Sequence, residues 1–444
     1  MVTEAVPSPS ERPGLLDRAL RVFSDVRAGE GATVLLMFLN LLSLFVSYYV
    51  IRTVRDATIL ASGGAVAQSY ASAVMAVVLL GFIPLYSWFA SRVDRVKLIF
   101  GVTLFFVVNL VIFSLAFGGN ARMVALAFFI WVGIFNNSTV AQFWSFANDL
   151  YRQDAGERLF PIVAIGATAG APLGAKMAEA LFEWGVRPPL MLQIAAGLLL
   201  AQLGLYVLIQ GREVRRQVEQ AAAAKAPIPA GGGFGLVFSN PYLRLIAVLI
   251  VVLNVVNTNG NFIWSSAVVN AADAAVAGDP TVDKVAFIGR TIGAFSFYQN
   301  LLVILMQALL VSRIVKYFGM PGVLLGLPLV ALSGNVLIAA GAGIAIIRLA
   351  KMTENATDYS VMNTGRQMLW LPTRREEKYK AKQAIDTFFV RAGDVLSALI
   401  VFSAGLLALP TRGMAAVNLG LIALWLVVIV ALLRRHRALT AQPG

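Results

Sequence analysis

The amino-acid sequence predicts an all-α membrane protein with twelve transmembrane helices in two six-helix halves. Of its 444 residues, 59% are hydrophobic and 13% are charged, whereas soluble domains average about 45–50% apolar and about 25% charged residues. Uncharged stretches such as 198–209 recur along the whole length. Crossing the hydrocarbon layer takes a helix of about 20 apolar residues, and each predicted segment supplies that number or nearly so.

The predicted spans are centred near Leu41, Leu79, Val108, Gly133, Ala169, Gly197, Leu253, Leu301, Ala331, Glu354, Leu396 and Trp425. We expect the first span to stay uncleaved, because its apolar run is too long for a signal peptide. The preceding piece, 15–26, places Leu15, Leu16, Ala19, Leu20, Phe23 and Val26 on one face. That pattern predicts a short interfacial helix, with a solvated tail as the alternative.

Lysine and arginine are concentrated in both terminal tails and in alternate connections between the spans. Since cytoplasmic loops carry the excess of positive charge, both termini are expected in the cytoplasm. The net charge of +13 therefore indicates membrane topology, and we expect no nucleic-acid partner.

The longest hydrophilic connection divides the chain into its halves. The predicted segments are a cytoplasmic N-terminal segment at 1–30, a first half at 31–210, a cytoplasmic linker at 211–240, a second half at 241–434 and a cytoplasmic tail at 435–444. Three matches lie 214 to 222 positions apart: Asn40 with Asn254, Ser91-Arg92-Val93 with Ser312-Arg313-Ile314, and Arg158 with Lys380. Two related six-helix halves predict the architecture of the major facilitator transporters.

The inventory of reactive side chains argues against an enzyme. The chain has no cysteine, and its single histidine, His436, lies in the sequence RRHR after the last span. Disulfides and thiol metal sites are therefore excluded. We expect no catalytic residue, no metal and no cofactor.

Span 10 carries the largest number of ions. At 100° per residue, its polar side chains Arg348, Lys351, Asn355, Asp358 and Arg366 fall within an arc of about 80°, with Glu354 about 40° further round. Ions inside a bilayer usually face the bundle interior or a wet cavity. We interpret this face as the lining of a transport path in which Lys351 pairs with Asn355 and Asp358. The alternative is an ion-pair ladder that holds the spans together.

Span 1 keeps Arg52, Arg55 and Asp56 in an apolar helix, and Tyr48 shares the face of the two arginines. Arginine does not lose its proton, and its planar fork matches a phosphate or carboxylate. The pattern therefore favours an anion site, with snorkelling to the outer interface as the alternative.

Three further spans contribute candidates. Span 11 contains Asp386, Arg391 and Asp394, of which the last two are expected to pair, and it follows Lys378, Lys380 and Lys382. Trp144 in span 4 and Asn257 and Asn259 in span 7 are candidates for contacts with a base or sugar, although asparagine also joins helices. In span 5, Gly166, Gly170 and Gly174 predict close helix packing.

Four stretches together resemble the ATP/ADP-translocase-type nucleotide transporters of plastids and intracellular bacteria, and their relatives in free-living bacteria. They are YYVIRTVRDATIL, QFWSFANDLYRQDAGERLFPIVAIGATAGAPLGA, NPYLRLIAVLIVVLNVVNTNGNFI and ATDYSVMNTGRQMLWLPTRREEKYKAKQAIDTFFVRAGD. The basic residue of the family's span-1 motif corresponds to Arg55, and its lysine motif to Lys378, Lys380 and Lys382. Its acidic residue in span 7 is replaced by Asn257. The resemblance implies a bacterial inner-membrane location.

The sequence thus predicts a secondary transporter that exchanges nucleotides of the ATP/ADP type by alternating access, as a monomer in membrane lipid. The expected substrate-binding residues are Tyr48, Arg52, Arg55, Trp144, Asn257, Asn259, Lys351, Lys380 and Arg391. The expected charge-pairing or proton-coupling residues are Asp56, Glu354, Asp358 and Asp386. The alternatives are a proton-coupled major facilitator for another organic anion or drug, and a non-transporting scaffold or sensor.

Overall fold

The computed structural model describes residues 14–22, 24–90, 92–117, 121–151, 153–217, 233–374 and 377–440. In this part of the chain all regular structure is helical, and no strand occurs. The predicted all-α fold is confirmed.

The first part of the chain forms five long helices and two short ones among the described residues. They are α1 (Leu15–Leu20), α2 (Gly31–Ala90), α3 (Arg95–Ala116), α4 (Ala121–Leu150), α5 (Gln153–Glu183), α6 (Pro188–Gln217) and α7 (Gly233–Ser239). Helix α2 has 60 residues and is interrupted at Gly64, whose φ of 69° lies in the left-handed region that favours glycine. It therefore supplies two of the predicted spans.

In the second part, the described residues form eight more α-helices and three π-helical turns. The α-helices are α8 (Pro241–Gly278), α9 (Lys284–Leu309), α10 (Val311–Ala339), α11 (Ile344–Thr357), α12 (Asn363–Met368), α13 (Lys382–Ala384), α14 (Val390–Leu406) and α15 (Thr411–Thr440). The π-helical turns are Asp358–Met362, Glu377–Ala381 and Ile385–Phe389. A π-helical turn holds one residue more than an α-helical turn, and such turns are frequent at functional sites.

Ten helical segments among the described residues are long and apolar enough to cross a membrane. One of them is the interrupted α2, and the ion-rich α11 is not among them. The structure is therefore consistent with twelve spans.

The chain groups into two compact units. The first is Met1–Val54, Tyr86–Gly118 and Ile134–Ala226, and the second is Arg55–Leu85, Gly119–Gly133 and Pro227–Gly444. The division of the sequence into six-helix halves at residues 211–240 stays a prediction.

The glycines of α5 pack directly against the backbone of α2. A Cβ built on Gly166, Gly170 or Gly174 would lie 2.5, 2.7 or 2.6 Å from a carbonyl oxygen of α2. Such distances leave no room for a side chain, so the predicted close packing is confirmed.

Replacing Gly170 by valine is expected to lower the stability of the protein by about 1–3 kcal/mol or more, because the new side chain would overlap the Leu42 carbonyl. The measurement is the thermal unfolding midpoint of purified protein in detergent. Gly204→Val in α6 is the matched control, since a Cβ there meets nothing within 4 Å. Equal midpoints for the two variants would contradict the packing argument.

The segment before α2 is folded around Asp17. This carboxylate is buried and accepts backbone N–H groups from Gly14, Gly29 and Gly31 at 2.8, 3.0 and 2.9 Å. Burial by itself raises the pKa of Asp17, but these hydrogen bonds and the nearby Arg21 charge outweigh it and leave the pKa lowered. The helix ends at Leu20, earlier than the predicted interfacial helix, and Phe23 of the predicted apolar face lies outside the described residues.

An arginine of α5 fastens this segment further. Arg158 binds both carboxylate oxygens of Glu30, at 3.2 and 3.1 Å, and also donates to the carbonyl oxygen of Asp25. The hydroxyl of Ser24 donates to the Arg158 carbonyl. The segment is therefore anchored to the start of α5.

Similar hydrogen bonds occur within each of the two units. Arg92 and Arg313 each donate to the carbonyl of the residue four positions earlier. In the first unit, Asn40 and Gln202 join α2 to α6 by a side-chain hydrogen bond of 3.1 Å. The counterpart in the second unit is Asn259 with Asn418, also at 3.1 Å, which joins α8 to α15. The match of Asn40 with Asn254 in an internal repeat stays a prediction.

Candidate functional site

Lys351 is the centre of a buried polar cluster between α11 and α8. Its Nζ donates to the Asn257 carbonyl oxygen at 2.9 Å, to Asn257 Oδ1 at 2.7 Å and to Glu354 Oε1 at 2.8 Å. The side chains of Lys351 and Glu354 are 3% and 9% exposed. Because an ammonium has three N–H donors, Lys351 has none left over in this conformation.

Asp358 adjoins this cluster at the start of the first π-helical turn. Its Oδ2 accepts from Asn257 Nδ2 at 3.1 Å, whereas its buried Oδ1 has no hydrogen-bond partner. The expectation that Lys351 pairs with Asn355 and Asp358 is therefore wrong. Asn355 instead donates to Gln299 of α9 at 2.7 Å. Lys351 therefore pairs with Glu354 on its own helix and with Asn257 on α8, whereas Asn355 pairs with Gln299 on α9.

The π-helical turn also changes the helical phase on which the ionic face was predicted. A constant 100° per residue no longer holds after Asp358, since the turn contains an additional residue. Among the described residues, Arg366 makes no salt bridge with Asp358 and acts on it only at longer range. Arg348 lies at the other end, with its guanidinium 5.9 Å from the ring centre of Tyr298.

A second cluster joins α8 to the start of α14. Arg391 pairs with Asp394 at 3.4 Å, which confirms the predicted pair. Asp394 Oδ1 also accepts from Asn254 at 2.8 Å and from Thr258 at 3.3 Å. Sequence reasoning missed these two contacts because they link residues about 140 positions apart, and helical spacing reports only local neighbours.

Asn259 belongs to a third polar group that joins helices. It is fully buried, donates to Asn418 and accepts from Ser397 at 2.7 Å. Asn418 donates in turn to Asn335 of α10 at 3.3 Å. This arrangement favours helix packing over contact with a base. Asn335 and Asn418 were not among the predicted residues. The signal that could have identified them is a single asparagine within an apolar span.

In the first span, Arg55 lies in an aromatic and ionic setting within the second unit. Its guanidinium pairs with Asp56 at 2.7 Å and stacks over the Phe129 ring, with its central carbon 4.3 Å from the ring centre. Both side chains of the ion pair are 11% exposed. An arginine held this way is largely desolvated on one face and keeps its charge.

The first unit contains the other predicted residues of spans 1 and 4. Arg52 lies 5.6 Å from the ring centre of Tyr49, the neighbour of the predicted Tyr48. Tyr48 stacks on Phe135 at 6.5 Å. Trp144 meets Phe160 edge to face at 5.6 Å. The predicted site residues thus fall in both units: Tyr48, Arg52 and Trp144 in the first, and the others in the second.

The lysine motif precedes span 11 on irregular helix. Lys380 is half-buried at the end of one π-helical turn, and Lys382 donates to Gln367 at 2.7 Å. Asp386 lies in the next π-helical turn, where Lys382 and Arg366 attract it. The side chain of Lys378 lies outside the described part of the chain.

Comparison with solved structures shows the fold to be that of major-facilitator-type transporters. A peptide transporter, POT, in complex with sulfate superposes with a TM-score of 0.64 at 14% identity, covering 96% of this chain and 99% of that one. The nucleoside transporter NupG gives a TM-score of 0.58 at 14% identity, covering 93% of this chain and 98% of that one. At these identities the similarity concerns the fold alone.

Sequence comparison is more specific. ADP,ATP carrier protein 1 of Chlamydia trachomatis is 21% identical over 436 residues, covering 83% of this chain and 81% of that protein. The protein of the same name from Chlamydia pneumoniae is 24% identical over 328 residues, covering 64% and 62%. The sequence model of the TLC ATP/ADP transporter family matches residues 125–441. The chain is thus a multi-pass membrane transporter that belongs to the TLC ATP/ADP transporter family.

Proposed function

We propose that this protein exchanges nucleotides of the ATP/ADP type across the bacterial inner membrane by alternating access. The observation that supports this most directly is the family match over residues 125–441. The printed names of the chlamydial relatives describe ADP,ATP carriers, and the buried cations of α2 and α11 have the chemistry to hold phosphate.

In this proposal the phosphates are bound by cations from several spans. The phosphate-binding residues are Arg52, Arg55, Lys351, Lys380 and Arg391. Their charges are balanced in the empty transporter by Asp56, Glu354, Asp358 and Asp386, because an uncompensated buried ion is costly. Tyr48, Trp144 and Asn257 contact the base or sugar. Asn259 stays outside the proposed site, since it is fully buried among helix contacts.

No covalent step, metal or cofactor is part of this mechanism, and the nucleotides are cargo. The chain acts as a monomer in membrane lipid, with both termini in the cytoplasm, as the distribution of Lys and Arg in the sequence favours.

The test is uptake of labelled ATP into proteoliposomes at equal pH on both sides. We expect uptake to require internal ADP or ATP and to be absent from protein-free vesicles. Vesicles loaded with an unrelated organic anion are the control for the exchanged partner. Uptake that does not depend on internal nucleotide and strictly requires a proton gradient would instead support a proton-coupled carrier of another anion.

A further inference from the structure

Lys351 is not free to bind a phosphate in this conformation. Its three N–H donors are directed at two oxygens of Asn257 and one of Glu354. Asn257 is a neutral partner, whereas Glu354 attracts the ammonium by charge and charge-assisted hydrogen bonding, which makes it the stronger competitor with an anionic ligand. Release of Lys351 towards a phosphate therefore depends on Glu354.

The surroundings of Glu354 leave Lys351 as its one close ionic partner. Among the described residues, no other cation lies within 4.0 Å of this carboxylate. Asp358 acts on it from the following turn as a like charge. The neighbouring helices contribute neutral groups: Asn257 from α8 and Asn335 from α10. Neutralising Glu354 therefore removes the negative charge in direct contact with Lys351 and leaves Asp358 to attract it only at longer range.

A water-sized void borders this ion pair. It has a volume of about 10 Å³ and is lined by Gly260, Lys351 and Glu354, among others. A Cβ at Gly260 would lie 3.0 Å from Lys351 Nζ and 3.3 Å from Glu354 Oε1, so the glycine keeps this space open. A single water needs about 10–15 Å³ of such volume and two or more polar partners. The void therefore suits one water molecule beside the carboxylate.

The void adjoins a larger cleft of about 390 Å³ where the α10–α11 connection meets α8 and α15. Ile338 and Ile347 line both spaces. Arg412 also lines the cleft. Given the size of the inner void, a proton relayed by water is the ligand that fits.

We propose that Glu354 is a counter-ion that protonation releases from Lys351. Glu354 holds Lys351 while it is ionised, and it releases Lys351 to the substrate phosphate when a proton reaches it through this cleft. A proton from the bulk solution is relayed by water in the void, which receives one proton as it gives up another, and it forms an O–H bond with a Glu354 carboxylate oxygen. Lys351 exchanges its carboxylate partner for the phosphate. When the phosphate leaves, Glu354 returns the proton to water and pairs with Lys351 again. This inference rests on the proposed function and concerns the regulation of the same site.

The test compares ATP binding by wild type and by Glu354→Gln at about pH 6 and about pH 8, using thermal shift of the purified protein in detergent. The glutamine is isosteric with a protonated glutamate and can still accept a hydrogen bond from Lys351. ATP itself titrates in this range, so the ratio of the two proteins' affinities is the readout. We expect the advantage of Glu354→Gln over wild type in ATP affinity to increase by about tenfold from the lower to the higher pH.

Glu179→Gln is the matched control. Glu179 is also buried, and it pairs with a lysine three residues earlier, Lys176, at 3.0 Å, but on α5. We expect it to keep the wild-type pH profile. If Glu354→Gln binds ATP but its affinity depends on pH in the same way as that of wild type, the counter-ion role is overturned while the proposed function stands. If ATP stabilises neither protein at either pH, the proposed function fails, and this inference fails with it.

A second measurement tests the route without any nucleotide. The sequence has no cysteine, so a single introduced cysteine can be labelled without background. The two variants are Ile347→Cys, at a buried position, and Ile346→Cys, at the exposed neighbouring position. Methyl methanethiosulfonate reacts with the thiolate, which forms where water reaches the sulfur. We expect Ile347→Cys to react several times faster than Ile346→Cys. Equal or slower labelling at 347 overturns the proposed route.

Discussion

Replacing Lys351 by methionine is expected to abolish nucleotide exchange and to destabilise the protein by about 3–5 kcal/mol. The substitution removes the ammonium that neutralises Glu354 and donates to two oxygens of Asn257. A buried carboxylate without its partner accounts for the loss of stability. The measurements are the thermal unfolding midpoint and labelled-ATP uptake into ADP-loaded proteoliposomes.

A double variant separates the structural role of Lys351 from its transport role. Lys351→Met with Glu354→Gln removes both charges, and replacing a whole buried ion pair by neutral groups is often nearly neutral for stability. We expect this variant to unfold near the wild-type midpoint and still to show no exchange. Exchange at the wild-type rate would mean that the pair only holds helices together, which is the ladder interpretation of span 10.

Replacing Arg55 by glutamine is expected to reduce exchange by about a hundredfold, whereas Arg55→Lys should reduce it by about tenfold. Glutamine removes the charge, while lysine keeps the charge but loses the planar fork. The guanidinium is pre-positioned by Asp56 at 2.7 Å and by the Phe129 ring. A lysine at this position would not hold a phosphate by two parallel hydrogen bonds.

Arg244→Gln is the control for Arg55, because Arg244 is an exposed arginine in the first turns of α8. It should change exchange less than about twofold, as for most surface positions. A thermal-shift measurement of both variants with ATP shows whether a variant that does not transport has lost ATP binding or only the conformational change. If Arg55→Gln transports as well as Arg244→Gln, Arg55 does not contact the substrate.

The helices were predictable because their signal is local and strong. Long apolar runs, the glycine spacing of α5 and the i, i+3 pair of Arg391 with Asp394 all depend on neighbours within one helix. The break at Gly64 shows the limit of this logic, since the sequence there only marks a connection between spans. Its left-handed backbone became evident from the fold.

The polar partners were harder to predict, because they come from distant parts of the chain. Lys351 was expected to pair along its own helix, yet two of its three acceptors are oxygens of Asn257. The π-helical turn at Asp358 had no clear signature in the sequence, and it invalidates a helical wheel drawn through to Arg366. Lys351 and Glu354 are buried ions and Arg55 is partly buried, but the contacts of all three required the structure.

The clamp that Arg158 forms on Glu30 has a consequence for how the chain is made. The two residues are 128 positions apart, and ribosomes add about 5–20 residues per second. Glu30 therefore waits about 6–25 s before Arg158 is synthesised. During that interval a nascent chain has no Arg158 to hold its leading segment, so targeting factors or proteases can reach a stretch that is fastened down in the finished transporter.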